Sequence, residues 1–228
     1  MQLIFLGAPG AGKGTQAQIL SEMLGLPKLS TSEILRREIS KGTQDGMKIK
    51  SIMDSGQFVS DEIMNDLVGK RLKDKDVHNG FIFDGYPRTI TQAEVLHDVL
   101  HKNGYLDGTT FVLNLSVKEP ELIRRFSGRF NCAFCGISYH KESKRPKVEG
   151  VCDKCGGKDF VVRADDNEEA VKVRLGIYYE KTEPLINYYS SKGMLFNING
   201  EQEIDDITTE ILSMLKIENK VKPKGNIV

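Results

Sequence analysis

The chain has 228 residues, 39% of them apolar, with 32 basic and 32 acidic side chains and a formal net charge of zero. That length and apolar share fill the core of one α/β domain with insertions, or of two small domains. The balanced charge excludes a global field that would draw the protein onto nucleic acid or an anionic membrane, so any anion site has to be local. The first six residues carry no basic segment and only four consecutive apolar residues, Leu3 to Leu6. This argues against a secretory leader or a membrane span and reads as a soluble, cytoplasmic protein.

In chain order, the apolar run Leu3 to Leu6 is followed at once by GAPGAGKGT, Gly7 to Thr15. Strand, tight loop and helix is the order this implies. A loop with so little side-chain bulk turns successive backbone N–H groups towards an anion, and the helix that follows adds its positive end. The spacing Gly7-x-x-x-x-Gly12-Lys13 fits a phosphate-binding P-loop, with Lys13 as its full charge. Gly14 stands at the usual Ser/Thr position, and the hydroxyl arrives one residue later as Thr15. Lys13 to Leu24 reads as a helix with Ala17, Leu20, Met23 and Leu24 on one side, ended by Gly25 and Pro27. In LSTSEILRREI, Ser30, Thr31 or Ser32 caps a further helix whose second turn carries Arg36 and Arg37: an ordinary solvated helix, or a second anion site. Gly42, Gly46 and Gly56 interrupt the pattern up to Val59, which makes 30–59 a small helical insertion, and Ser60-Asp61-Glu62 opens the next helix.

Phe81-Ile82-Phe83-Asp84 reads as a buried parallel strand that delivers a carboxylate to its C-terminal edge, where open α/β sheets bind ligands. There Asp84 suits Mg²⁺ held through water, or is simply a turn aspartate. Gly85-Tyr86-Pro87-Arg88 places another guanidinium beside the same edge, and Gln92 offers an amide one turn further on. Thr110 to Leu115 reads as a second buried strand and Pro120 to Arg125 as a helix ended by Gly128 and Arg129. Then come Cys132-x-x-Cys135, sixteen residues, and Cys152-x-x-Cys155. This double knuckle suits a tetrahedral tetrathiolate Zn²⁺ site, structural because it leaves no open position; two disulfides are the alternative. Metal would replace the core that 126–164 lacks. The ribbon's Lys141, Lys144, Arg145, Lys147, Lys154 and Lys158 would also suit a grip on nucleic acid, against which stand Glu142, Glu149, Asp153 and Asp159. Beyond it, Arg163, Asp165 and Asp166 precede a helix from about Asn167 to Tyr179 that carries Arg174. Met194 to Ile198 is the last core strand, Ile204, Ile207, Ile211 and Leu215 recur at helical spacing, and Lys216 to Val228 reads as a frayed tail.

Taken together, GAPGAGKGT, STSEILR, FDGYPRTITQA, RRFSGRF, CAFCGISYH, PKVEGVCDKCGG, VRADDNEEAVKVRL and LFNINGEQEI resemble the adenylate kinases, in their long bacterial form with a four-cysteine zinc lid, from Met1 to about Leu215. The resemblance implies a P-loop NTPase fold with a five-stranded parallel sheet flanked by helices, formed by 1–29, 60–125 and 165–228. It makes 30–59 the monophosphate-binding insertion and 126–164 the zinc-containing lid. It implies a monomer that acts on ATP, AMP and ADP, passing the γ-phosphoryl group of MgATP to AMP, with no nucleic acid or membrane partner. By the same resemblance Gly10, Ala11, Gly12, Lys13, Gly14, Thr15, Arg125, Arg129, Ser138, Tyr139 and Gln202 bind ATP. Thr31, Arg36, Gln57, Phe58, Val59, Gly85, Tyr86, Pro87, Arg88, Gln92, Arg163 and Arg174 bind AMP. Arg163 and Arg174 clamp the transferring group, Asp165 and Asp166 seat the lid, and Lys13, Asp84, Arg88, Arg129, Arg163 and Arg174 carry the catalysis. The chain departs from the family where Ser32 replaces Gly, Glu33 replaces Asp, Phe130 replaces an arginine and SKRP replaces FNPP.

Overall fold

In the computed structural model, which describes residues 1–55, 57–105, 108–162 and 168–216, the apolar runs become the central strands of one sheet. Strands β1 (Gln2–Leu6), β2 (Lys28–Ser30), β3 (Phe81–Asp84), β4 (Thr110–Ser116) and β8 (Leu195–Asn199) pair in the order β2-β3-β1-β4-β8. Every pairing is parallel. Both faces of β1 are therefore covered and all five of its residues are buried. Leu3 and Phe5 point into a core with Ala17 and Leu20 of α1 (Lys13–Leu24) and Ile207 and Ile211 of α9 (Ile204–Met214). Ile4 and Leu6 point into the opposite core, with Met64 and Val68 of α4 (Asp61–Arg71), Leu96 and Leu100 of α5 (Ile90–Lys102), and Leu185 and Tyr189 of α8 (Pro184–Ser191). An unbroken apolar strand is what burial on two sides requires.

Because all five strands run the same way, their C-terminal ends share one edge. That edge presents the loop after β1, Thr31 after β2, Asp84 and Gly85 at the end of β3, and Gly200 after β8. The register sets Asp84 opposite Phe5 and opposite Ser30. Two helices, α2 (Thr31–Ser40) and α3 (Gln44–Asp54), rise from the edge between β2 and α4. Helix α6 (Glu119–Ser127) leads from β4 into a separate antiparallel sheet, β6 (Ser138–His140), β5 (Arg129–Cys132) and β7 (Phe160–Val161), in the order β6-β5-β7. Phe130 stacks on Tyr139 at 5.7 Å between centroids and meets Phe160 edge-on at 5.5 Å. Phe130 is thus partly buried, packed against the small core of this ribbon. Helix α7 (Glu168–Ile177) carries Arg174 and continues through a π-helical turn, Tyr178–Thr182, into α8.

The expected helices at 13–24 and after Ser60 form where their caps place them, with Gly25 in the left-handed region (φ 67°) and Ser60 capping α4. Strand β2 had no periodic signal, since three residues are too few to show alternation. Arg163, Asp165, Asp166 and the tail 217–228 lie outside the described residues. Among the described residues no helix is long and apolar enough to cross a membrane.

Candidate active site

Along the shared strand edge runs a cleft of about 660 Å³, lined by the loop Gly7 to Thr15, by Asp84 and Arg88, by Arg125 and Arg129, by the ribbon from Ala133 to His140, and by Gly200 to Ile204. Twice as many basic as acidic residues line it, although the chain as a whole is neutral. A positive cleft on a neutral surface focuses attraction for anions at one place.

The glycines of the loop take positive φ at Gly7, Gly10 and Gly12 (134°, 85° and 96°), and Gly12 is the N-cap of α1. Lys13 folds back over the loop and its Nζ donates to the carbonyls of Gly7 and Ala8 at 2.7 and 2.8 Å. Burial pushes the Lys13 ammonium down to about 7; Asp84 opposes this, while Arg88, Arg174 and Arg129 add to it. An anion seated in the loop would offset all of those penalties. A Cβ at Gly14 would lie 3.0 Å from Asp84 Oδ2. This chain thus trades the usual hydroxyl for close approach of a carboxylate, which puts Asp84 within reach of a cation shared with the phosphates.

A smaller cavity of about 60 Å³ adjoins the cleft and is lined by Thr31, Gln57, Phe58, Val59, Gln92 and Met64 among others; Ser32, Phe58, Gly85, Arg88 and Arg174 line both. Arg88 is held in place from several sides. Its Nε donates to Gly85 O at 2.8 Å, its Nη2 to Thr31 Oγ1 at 3.2 Å, and its guanidinium carbon lies 4.8 Å from the centre of the Phe58 ring. Thr182 Oγ1 donates to the Arg88 carbonyl at 2.9 Å. Arg129 and Arg174 rest on one ring, Phe126, at 4.9 and 5.4 Å. A buried arene is a platform on which two cations can be held close together. Arg125 donates to Glu121 at 2.7 Å and to Gly200 O at 2.9 Å. Glu121 is itself held down to about 2, chiefly by its hydrogen bond from Arg124 and then by Arg125.

Of the other expected binding residues, Ser138 and Gln202 line the cleft, with Ser138 Oγ accepting from Asn131 and Gln202 donating to Glu210 at 2.9 Å. Arg36 and Pro87 line the cleft, outside the smaller cavity. Tyr139 lines the cleft though little of it is exposed, and Tyr86 stands behind the wall. Tyr86 is 1% exposed, donates to Asn65 at 2.7 Å, and is pushed far above its ordinary range by burial and by Asp61. Tyr139 is buried, donates towards Cys152 Sγ at 3.5 Å and accepts from Asp153 N at 2.8 Å. Glu33 pairs with Lys28 at 3.5 Å. Phe126, Asp61 and Thr182 were absent from the expected site. Only RRFSGRF hinted at the first, as an aromatic between arginines.

In the ribbon the four cysteines are free thiols, so the disulfide alternative falls. All four Sγ atoms lie within 4.8 Å of one another, with Cys132–Cys155 and Cys135–Cys152 both at 3.5 Å. Thiolates about 2.3 Å from a tetrahedral metal stand close to that separation. The donor set and its geometry fit a structural metal site.

A P-loop at the edge of a five-stranded parallel sheet, joined through shared arginines to a second cavity, defines a phosphotransferase of the nucleoside monophosphate kinase class. A sequence profile described as adenylate kinase matches residues 5–194. The chain is 49% identical over 215 residues to an adenylate kinase of Rhizobium etli, covering 94% of this chain and 99% of the relative. It is 48% identical over 218 residues to one of Caldicellulosiruptor saccharolyticus (96% and 100%), and 47% over 217 residues to one of Methanocella arvoryzae (95% and 99%). The chain belongs to the adenylate kinase family.

Proposed function

We infer that this protein catalyses the reversible transfer of the terminal phosphoryl group of ATP to AMP, giving two ADP. The observation that supports this best is the meeting of two cavities at Arg88 and Arg174: one anion site would need neither the second cavity nor the shared guanidiniums. In this reading Gly10 to Thr15, Arg125, Arg129, Ser138, the backbone at Tyr139 and Gln202 hold ATP. Thr31, Arg36, Gln57 to Val59, Gly85 to Arg88 and Gln92 hold AMP, with Tyr86 as the packed support of that wall. Lys13, Arg88, Arg129, Arg163 and Arg174 surround the oxygens over which charge spreads during transfer, and no protein nucleophile is required.

Asp84 would hold a Mg²⁺ ion, which would supply positive charge against the donor phosphates. Cys132, Cys135, Cys152 and Cys155 hold a structural Zn²⁺ that stiffens the ribbon. Residues 126–164 act as a lid and 30–59 as the monophosphate-binding arm, with Asp165 and Asp166 seating the lid. Closure of both excludes water, a competing acceptor, until both nucleotides are present. The protein works as a cytoplasmic monomer on free nucleotides.

A panel of nucleoside monophosphates, each offered with MgATP, tests the reading: AMP supports the highest kcat/KM. A higher value for another monophosphate would move the protein to a sister specificity within the class.

A further inference from the structure

Gln92 is 2% exposed and lines the smaller cavity, and both ends of its amide are already engaged by the protein. Its Oε1 accepts from the backbone N–H of Arg88 at 2.8 Å, and its Nε2 donates to Asp61 Oδ1 at 2.7 Å. An N–H can only donate and an ionised carboxylate can only accept, so these two partners fix which way the amide faces. The other carboxylate oxygen of Asp61 accepts from Thr89 Oγ1 at 2.7 Å, and Thr89 Oγ1 in turn caps α5 by accepting from Gln92 N at 3.2 Å. The first residue of α4 is thereby tied to the first turn of α5, with the Gln92 amide held between them. A primary amide has two N–H groups and two lone pairs, so one of each is left for a ligand, in a fixed order.

That order matters for a purine. Adenine presents a donor at N6 beside an acceptor, and a 6-oxopurine presents an acceptor at the same place. The two classes therefore call for opposite amide orientations. Turning Gln92 to suit a 6-oxo group would set its NH₂ against the Arg88 N–H and its carbonyl against the Asp61 carboxylate, two unmade hydrogen bonds in a buried place. We propose that Asp61 is a specificity-determining residue, a positioning group that acts through Gln92 to make the acceptor cavity select 6-aminopurine over 6-oxopurine nucleoside monophosphates. The proposal rests on the reading of this cavity as the AMP site.

The test compares the KM for AMP with the Ki of IMP, measured as a competitor of AMP, in the unaltered chain and in Asp61→Ala, Asp61→Asn and Gln92→Ala. IMP carries the 6-oxo group with a hydrogen on N1, which reverses donor and acceptor along that edge, and leaves the rest of the base unchanged. Asp61→Ala lowers the preference for AMP over IMP by about tenfold or more, with KM for ATP unchanged. Asp61→Asn, which keeps the shape and can offer either a donor or an acceptor to Gln92, lowers it in the same direction. A merely structural role would lower the melting temperature or kcat and leave the ratio alone. An unchanged ratio in both folded Asp61 variants, while Gln92→Ala still raises the KM for AMP, overturns the proposal and leaves the cavity assignment standing. No effect of Gln92→Ala on the KM for AMP overturns the cavity assignment itself, and the proposal with it.

Discussion

Lys13 shows how a single side chain is prepared for its ligand. Its ammonium donates to the carbonyls of Gly7 and Ala8, and its burial, with Arg88, Arg174 and Arg129 nearby, pushes it down to about 7. Bound phosphates favour the charged form and raise it again, so nucleotide binding takes up a proton and affinity falls as pH rises above about 7. Titration calorimetry near pH 8, in buffers of different ionisation heat, should show uptake close to one proton per ATP, absent in Lys13→Met. Equal uptake in both proteins would refute this. Lys13→Ala itself should cut turnover by about 10²–10³-fold. Gly14 makes the opposite trade: alanine there favours the helix by about 1 kcal/mol yet crowds Asp84. Gly14→Ala is therefore expected to keep its melting temperature while losing about tenfold in kcat with MgATP, read by paired thermal and steady-state measurements. These roles differ in how far sequence reveals them. Lys13 is legible because loop, lysine and helix are contiguous. Asp61 and Gln92 meet only because α4 and α5 pack side by side, and nothing in their 31-residue separation signals a contact.

At the scale of elements, the parallel sheet brings together what the chain keeps apart, since strand ends at one edge place Gly7, Ser30, Asp84 and Gly200 around one cleft. Strands β1, β3 and β4 announce themselves as apolar runs, whereas β2 has three residues and is visible only through its pairing with β3. The ribbon was legible for a different reason: cysteine spacing encodes metal geometry directly. Its own apolar core amounts to Cys132, Tyr139 and Cys152, with Phe130, Cys135, Ile137 and Phe160 packed around them. So small a core depends on its metal. Protein purified under reducing conditions should carry about one zinc per chain, and chelation should lower the melting temperature and open 129–161 to proteolysis before the sheet. Metal analysis finding none, or a melting curve indifferent to chelation, would contradict this. Helix α6 joins the sheet and the ribbon through Phe126, the platform of Arg129 and Arg174. Phe126→Leu retains the apolar fill but loses the cation–π contacts, and should lower kcat by about tenfold with little change in stability.

For the whole molecule, a net charge of zero with a cationic cleft concentrates the attraction for anions at one place. Two cavities that share Arg88 and Arg174 allow charge to pass from one bound nucleotide to the other without leaving the cleft. The central claim is that AMP, and not water, receives the phosphoryl group. Following ATP and ADP together, with and without AMP in the presence of Mg²⁺, tests this most directly. Two ADP should form for each ATP and AMP consumed, ATP alone should persist, and Arg88→Ala should slow the reaction by about 10²-fold or more. ATP loss that proceeds equally without AMP, or near-normal turnover in Arg88→Ala, would contradict it.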